Sequence, residues 1–150
     1  MSAQLVQTEL CISIDSRPEH LPRLRAVVGC LAANMGMTLE ETQETKLAIT
    51  EACANAIRHG SPEGEADTVV IKLVADHAGI VAEVSDSGRG FNVDEVLPPA
   101  EPGQNPGGLG IPLMRALADR VEFLSAGKGM TVRLFKKIRG GVRNRQQASR

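Results

Sequence analysis

Aromatic side chains are nearly missing from this sequence. Its 150 residues include three phenylalanines, Phe91, Phe123 and Phe135, and neither tryptophan nor tyrosine. Single-stranded nucleic acid is held by stacking on several exposed rings, and quaternary ammonium ligands inside aromatic cages. Three scattered phenylalanines build neither, so no direct nucleic-acid partner is expected. Thiolate ligands are scarce too. Cys11, Cys30 and Cys53 form no Cys-x-x-Cys pair, whereas zinc sites draw on closely spaced ligands. Free cysteine is among the most buried residue types, so all three are expected as buried, reduced thiols. No apolar run reaches the ~20 residues of a bilayer span, and the first residues carry no charged-then-apolar signal pattern. A cytoplasmic protein away from membranes is therefore expected. A GxxxxGK[ST] phosphate loop is absent, and no GxGxxG follows the first strand pattern, so neither a P-loop nor a dinucleotide fold is supported.

The composition that remains is that of a soluble domain, 42% hydrophobic and 23% charged. A chain of this length buries one core without disulfide or metal staples. The net charge of −1 hides an uneven spread. Residues 136–150 carry Lys136, Lys137, Arg139, Arg143, Arg145 and Arg150 and no acid, while residues 1–135 carry 11 basic and 18 acidic side chains. Residues 137–150 are expected as a disordered basic tail. Such a tail aids solubility or touches an acidic surface.

The hydrophobic pattern orders the rest. Leu10, Ile12 and Ile14 alternate with Cys11 and Ser13, which predicts a half-buried strand from Thr8 to Asp15. Ser16-Arg17-Pro18-Glu19 has the form of a capping box. The helix it opens carries Leu21, Leu24, Val27, Val28, Leu31 and Met35 at helical spacing and stops at Gly36. Thr38-Leu39-Glu40-Glu41 is a second capping box, and its helix runs to His59 and stops at Gly60, with Ile49, Cys53, Ala56 and Ile57 as its apolar stripe. Val69–Val74 and Ile80–Val84 are β-branched runs around Asp76-His77-Ala78-Gly79, a hairpin signal. A Gly/Pro-rich stretch, 85–105, separates them from a helix over 110–118. A last hairpin, Val121–Ser125 and Met130–Phe135, turns at Gly127-Lys128-Gly129. The order β-α-α-β-β-loop-α-β-β predicts an α+β two-layer sandwich, with helices on one face of a mixed, mostly antiparallel sheet.

Four places in this frame can bear chemistry. Glu51 and Asn55 lie four apart on the second helix, so they share a face. A carboxylate accepts a proton, and an amide oxygen ligates a hard cation such as Mg²⁺; taken alone, the pair also fits a solvated helix face. Asp86 ends a strand and is followed by Gly88 and Gly90, which allow a ligand close to the backbone; an ordinary Asp/Gly turn has the same pattern. Gly107-Gly108-Leu109-Gly110 leads into a helix N-terminus, where backbone N–H groups and the dipole favour phosphate. Thr131 opens the final strand beside a glycine turn.

Taken in order, Glu51-Ala-Cys-Ala-Asn55-Ala-Ile-Arg-His59-Gly60, Asp86-Ser-Gly88-Arg-Gly90-Phe91, Gly107-Gly-Leu-Gly110-Ile-Pro-Leu-Met114 and Gly127-Lys-Gly-Met-Thr131 resemble the GHKL ATPase superfamily. They are similar to its N-box, its two glycine boxes and the Thr of its late strand, over residues 8–136. The short chain and the Glu-Ala-x-x-Asn form resemble the anti-sigma-factor serine/threonine kinases of bacterial partner-switching pathways. The resemblance implies the Bergerat ATP-binding fold, a kinase domain over 1–136, and ATP with Mg²⁺ as cofactors. It implies Glu51 as the catalytic base and Asn55 as the Mg²⁺ ligand. Asp86 and, through water, Thr131 would read adenine. Gly88 and Gly90 would let the chain pass under the nucleotide. Residues 92–110 would form a lid, with Gly108, Leu109, Gly110 and Ile111 at its phosphate end. The implied partners are an anti-sigma-factor antagonist protein as phosphorylation substrate, a sigma factor, and a second copy in a homodimer. A non-catalytic ATP-binding switch module that controls its regulator by binding alone is the alternative within the same superfamily.

Overall fold

A computed structural model describes residues 7–88, 110–126 and 129–139. Five strands form one sheet: β1 (Thr8–Asp15), β2 (Thr68–Ala75), β3 (Gly79–Ser85), β4 (Arg120–Ala126) and β5 (Gly129–Lys137). Their spatial order is β1-β2-β3-β5-β4, and each of the four pairings is antiparallel. The α+β sandwich is thus present, with a sheet that is wholly antiparallel among the described residues. Among the described residues three α-helices, α1 (Leu21–Asn34), α2 (Leu39–His59) and α3 (Gly110–Leu117), accompany it.

Alternation decides which face of the sheet is covered, because successive strand side chains point to opposite sides. Val69, Ile71, Leu73 and Ala75 of β2 are buried, as are Ile80, Ala82 and Val84 of β3 and Met130, Val132 and Leu134 of β5. The register aligns Ile14 with Val69, Ile12 with Ile71 and Leu10 with Leu73, so β1 adds its apolar side to the same face. Helix α2 is central: it packs on the sheet, against α1 on one flank and α3 on the other. Its buried side chains are therefore more than one stripe, and include Ala48, Ile49, Ala52, Cys53, Asn55 and Ala56.

The two predicted capping boxes fare differently. At α2 the Glu41 N–H donates to Thr38 Oγ1 (3.1 Å) and the Thr38 N–H to the Glu41 carboxylate (2.9 Å). At the first, a short 3₁₀ turn over Pro18–His20 precedes α1 and no side chain caps it. Ser16 instead hydrogen-bonds Ser61 across the fold, and its backbone N–H donates to Asp67 O. A tertiary partner has displaced the local one. The cysteines also need correction. Cys53 is buried, but Cys11 and Cys30 are exposed, because they occupy the solvent sides of β1 and α1.

Lys136 sits at a core-facing position of β5 and is 6% exposed. Its ammonium pairs with Glu44 of α2 and donates to Leu117 O at the end of α3 (2.8 Å). A buried charge left unpaired is costly, so these partners are what permit a lysine there. The ordered chain also outruns the expected domain end at 136. Sheet pairing reaches Lys137, the Arg139 N–H donates to Glu41 Oε1 (2.8 Å), and the Arg139 guanidinium pairs with Asp119. Residues 140–150 of the expected tail lie outside the described residues.

Candidate functional site

Glu51 and Asn55 lie on the flank of α2 that meets α3. Asn55 is 6% exposed, and its side-chain oxygen has no hydrogen-bond partner among the described residues. Buried amide oxygens are nearly always satisfied, so this one stands out. Gly110, the first residue of α3, closes the cradle. A Cβ there would lie 2.9 Å from Asn55 Nδ2, 3.1 Å from its Oδ1 and 3.3 Å from Glu51 Oε2. Glycine thus brings the backbone of a helix N-terminus, with its positive dipole end, beside a carboxylate and an unpaired amide oxygen. Ile111, next in the chain, is buried in the core and anchors that terminus.

Asp86 lies just beyond the C-terminal end of the same helix. Its Oδ1 accepts the Gly88 N–H at 2.8 Å and the Met130 N–H at 3.3 Å. Its other oxygen accepts no hydrogen bond among the described residues. Burial raises the carboxyl above the usual aspartate range, against the pull of the two N–H bonds. Gly88 is buried and presses on Gly60, where an added Cβ would lie 2.6 Å from the Gly60 Cα. Gly129 backs the same aspartate, since a Cβ there would overlap Asp86 O.

The sequence assigns Thr131 to this pocket, and the fold does not bring it there. Thr131 pairs with Ser85 in the register, and their hydroxyls hydrogen-bond at 2.8 Å on the sheet face away from the helices. The neighbouring Met130 faces the core and offers its N–H to Asp86. One residue of register reverses the face. Gly60 was legible only as a helix stop. Its φ of −103° is one that any residue adopts, whereas Gly36, which ends α1, has φ 88° and does need glycine. Gly60 is required instead by the aspartate against it, and no local pattern marks that contact. Gly90, Gly108, Leu109, Phe91 and the expected lid before Gly110 lie outside the described residues.

A helix-central sheet with Glu and Asn on the inner flank of one helix, an Asp at a strand end and a glycine-led helix facing them defines a nucleotide-binding class. Residues 14–136 match the family model described as the histidine kinase-like ATPase domain, and the chain belongs to that family. Its GHKL relationship and its likeness to the anti-sigma kinase branch follow from its relatives. It is 30% identical over 137 residues to the serine-protein kinase RsbW of Bacillus subtilis, covering 86% of this chain and 85% of that protein. It is 31% identical over 139 residues to the anti-sigma F factor of Bacillus thuringiensis, covering 89% and 94%. In fold it is similar to a Mycobacterium tuberculosis structure of the RsbU and RsbW domains of Rv1364c, with a TM-score of 0.66, 19% identity, 87% of this chain and 32% of that one covered. A blue-light activated histidine kinase of Erythrobacter litoralis superposes with a TM-score of 0.53 at 17% identity, over 83% of this chain and 62% of that one. Among the described residues no helix is long and apolar enough to cross a membrane.

Proposed function

We propose that this chain is an ATP- and Mg²⁺-dependent serine/threonine protein kinase that acts as an anti-sigma factor, phosphorylating an antagonist protein and sequestering a sigma factor. The observation that carries the reading is the buried Asn55 oxygen, without a partner among the described residues, beside Glu51 and the start of α3. A hard oxygen donor suits Mg²⁺, which keeps several waters and takes few protein ligands alongside phosphates. When bound, the ion would supply neutralisation of phosphate charge. The relatives' names, a serine-protein kinase and an anti-sigma F factor, support the two activities.

The chain's own residues then have distinct tasks. Glu51 accepts the proton of an attacking seryl or threonyl hydroxyl. The hydroxyl oxygen bonds the γ-phosphorus as the bond to the bridging oxygen breaks and ADP departs. Positioning and charge stabilisation dominate such transfers. The α3 N-terminus adds backbone donors and positive potential near the phosphates. The Asp86 oxygen that accepts no hydrogen bond among the described residues accepts from the adenine amino group; guanine presents an acceptor there and is repelled. A homodimer belongs to the same proposal.

The test is incubation of the chain and the antagonist protein with γ-labelled ATP and Mg²⁺. Label on a Ser or Thr of the antagonist is the expected result. A stable complex without label would replace the kinase with the non-catalytic switch module.

A further inference from the structure

Gly60 carries more of the site than its place at a helix end requires. Its backbone angles are φ −103° and ψ 14°, open to any L-residue. Its N–H already closes α2 by donating to Ala56 O at 2.9 Å. Neither helix termination nor backbone strain therefore calls for glycine. The contact does. A Cβ at Gly60 would overlap the Asp86 carboxylate and lie 2.6 Å from Asp86 Cβ, while Gly88 presses on the Gly60 Cα from the strand side. Gly60 is buried, and Asp86 is partly buried against it. Its Oδ1 is held by the Gly88 and Met130 N–H groups, which leaves rotation or displacement of the whole carboxylate as the only response.

Resting on the nucleotide reading above, we propose that Gly60 is a positioning residue for base selection. It lets the end of α2 abut Asp86 directly and so sets the aspartate relative to Asn55 and Glu51, which lie on the same helix. Helix α2 thereby acts as one ruler between the phosphate half and the base half of the site. A single added methyl group at residue 60 pushes the acceptor oxygen away from the amino group it reads. Selectivity for an amino-bearing base then falls, whereas contacts with the triphosphate persist.

The test is a cycle of four proteins: wild type, Gly60→Ala, Asp86→Gly and the double variant. Dissociation constants for ATP·Mg²⁺ and GTP·Mg²⁺ are measured by calorimetry, and folding by circular dichroism. Wild type is expected to prefer ATP. Gly60→Ala is expected to weaken ATP binding about 10- to 100-fold, the scale of a lost hydrogen bond to a charged group, with little change for GTP. A merely structural role would weaken both alike. Asp86→Gly removes the three atoms nearest to the new methyl group, so in that background Gly60→Ala is expected to change neither nucleotide's affinity. Equal loss for ATP and GTP, or an undiminished effect in the Asp86→Gly background, overturns the proposal. Should Gly60→Ala alone fail to fold, the double variant is expected to fold; its failure would mean that glycine is needed for something other than Asp86. Wild type that binds neither nucleotide sinks the nucleotide reading itself, while wild type that prefers ATP beside an unaffected Gly60→Ala sinks the role of Gly60 alone.

Discussion

The two halves of the site are built on opposite plans. Around Asp86 one oxygen is already held by two backbone donors, Gly60, Gly88 and Gly129 close in without side chains, and the other oxygen stays open among the described residues. Around Asn55 a polar oxygen is buried without a partner among the described residues, with Glu51 and the first residue of α3 beside it. One half is oriented in advance by the protein's own donors, and the other holds a buried oxygen that no described residue orients. A preformed base reader gives selectivity without reorganisation, while an unsatisfied oxygen favours whatever cation or donor fills it.

The contrast can be broken by substitution. The largest expected effect is on chemistry. Glu51→Ala should lower phosphate transfer about 10²- to 10⁴-fold or more, the range of general-base catalysis, with ATP affinity near wild type; transfer at an unchanged rate would remove Glu51 from the role of base. Stability comes next. Asp86→Ala orphans the Gly88 and Met130 N–H groups and should cost about 1–3 kcal/mol in urea unfolding. Asn55→Ala removes an oxygen that pairs with nothing among the described residues, so the ligand-free protein should be destabilised much less, while its Mg²⁺-dependent ATP affinity drops. Equal costs for the two variants would erase the difference between the halves.

Smaller effects concern protons and thiols. Asp86 has a raised pKa, chiefly from burial. The folded state therefore holds this proton more tightly than the unfolded chain does. Its contribution to stability is full below the ordinary aspartate range and is lost as pH rises through the raised value. ATP binding has the opposite need, a charged Asp86, and should weaken as pH falls through that value. Asp119 runs the other way. Burial pushes it up, but the Lys137 N–H and the hydrogen bond and charge of Arg139, with Lys136 behind, outweigh that and lower it. Its stabilisation is present above the ordinary range and lost as pH falls through the lowered value. Urea unfolding across the acid range, with Asp86→Asn and Asp119→Asn, should remove the two trends separately. Finally, burial pushes the Cys53 thiol up to about 12, so a thiol reagent should modify Cys11 and Cys30 in the native protein and spare Cys53. Rapid modification of Cys53 would show that α2 opens from the sheet.

How much of this was legible beforehand depends on the range of the interaction. Strand alternation marked the buried face of β1, and Thr38 with Glu41 marked the start of α2, because those forces act within a few residues. Ser16 failed as a cap, since its partner Ser61 is 45 residues away. Asp86 and Asn55 are weak candidates by type and spacing alone, and it is the resemblance of the ordered boxes that singles them out. The resemblance puts Thr131 beside adenine through water, whereas its register with Ser85 turns its hydroxyl to the face away from the helices, one step of strand parity from Met130. Lys136 in the core could not be expected, because the carboxylate that neutralises it comes from another layer.

Local chemistry in the chain was enough for the element order, the sandwich and the residue types able to serve a nucleotide, because backbone propensity, capping and hydrophobic period need only near neighbours. Tertiary packing alone decided that α2 is flanked on both sides, that the Asn55 oxygen is buried with no partner among the described residues, and that Gly60 abuts Asp86. Each of these depends on which surfaces meet, and that follows from burying the whole apolar face at once.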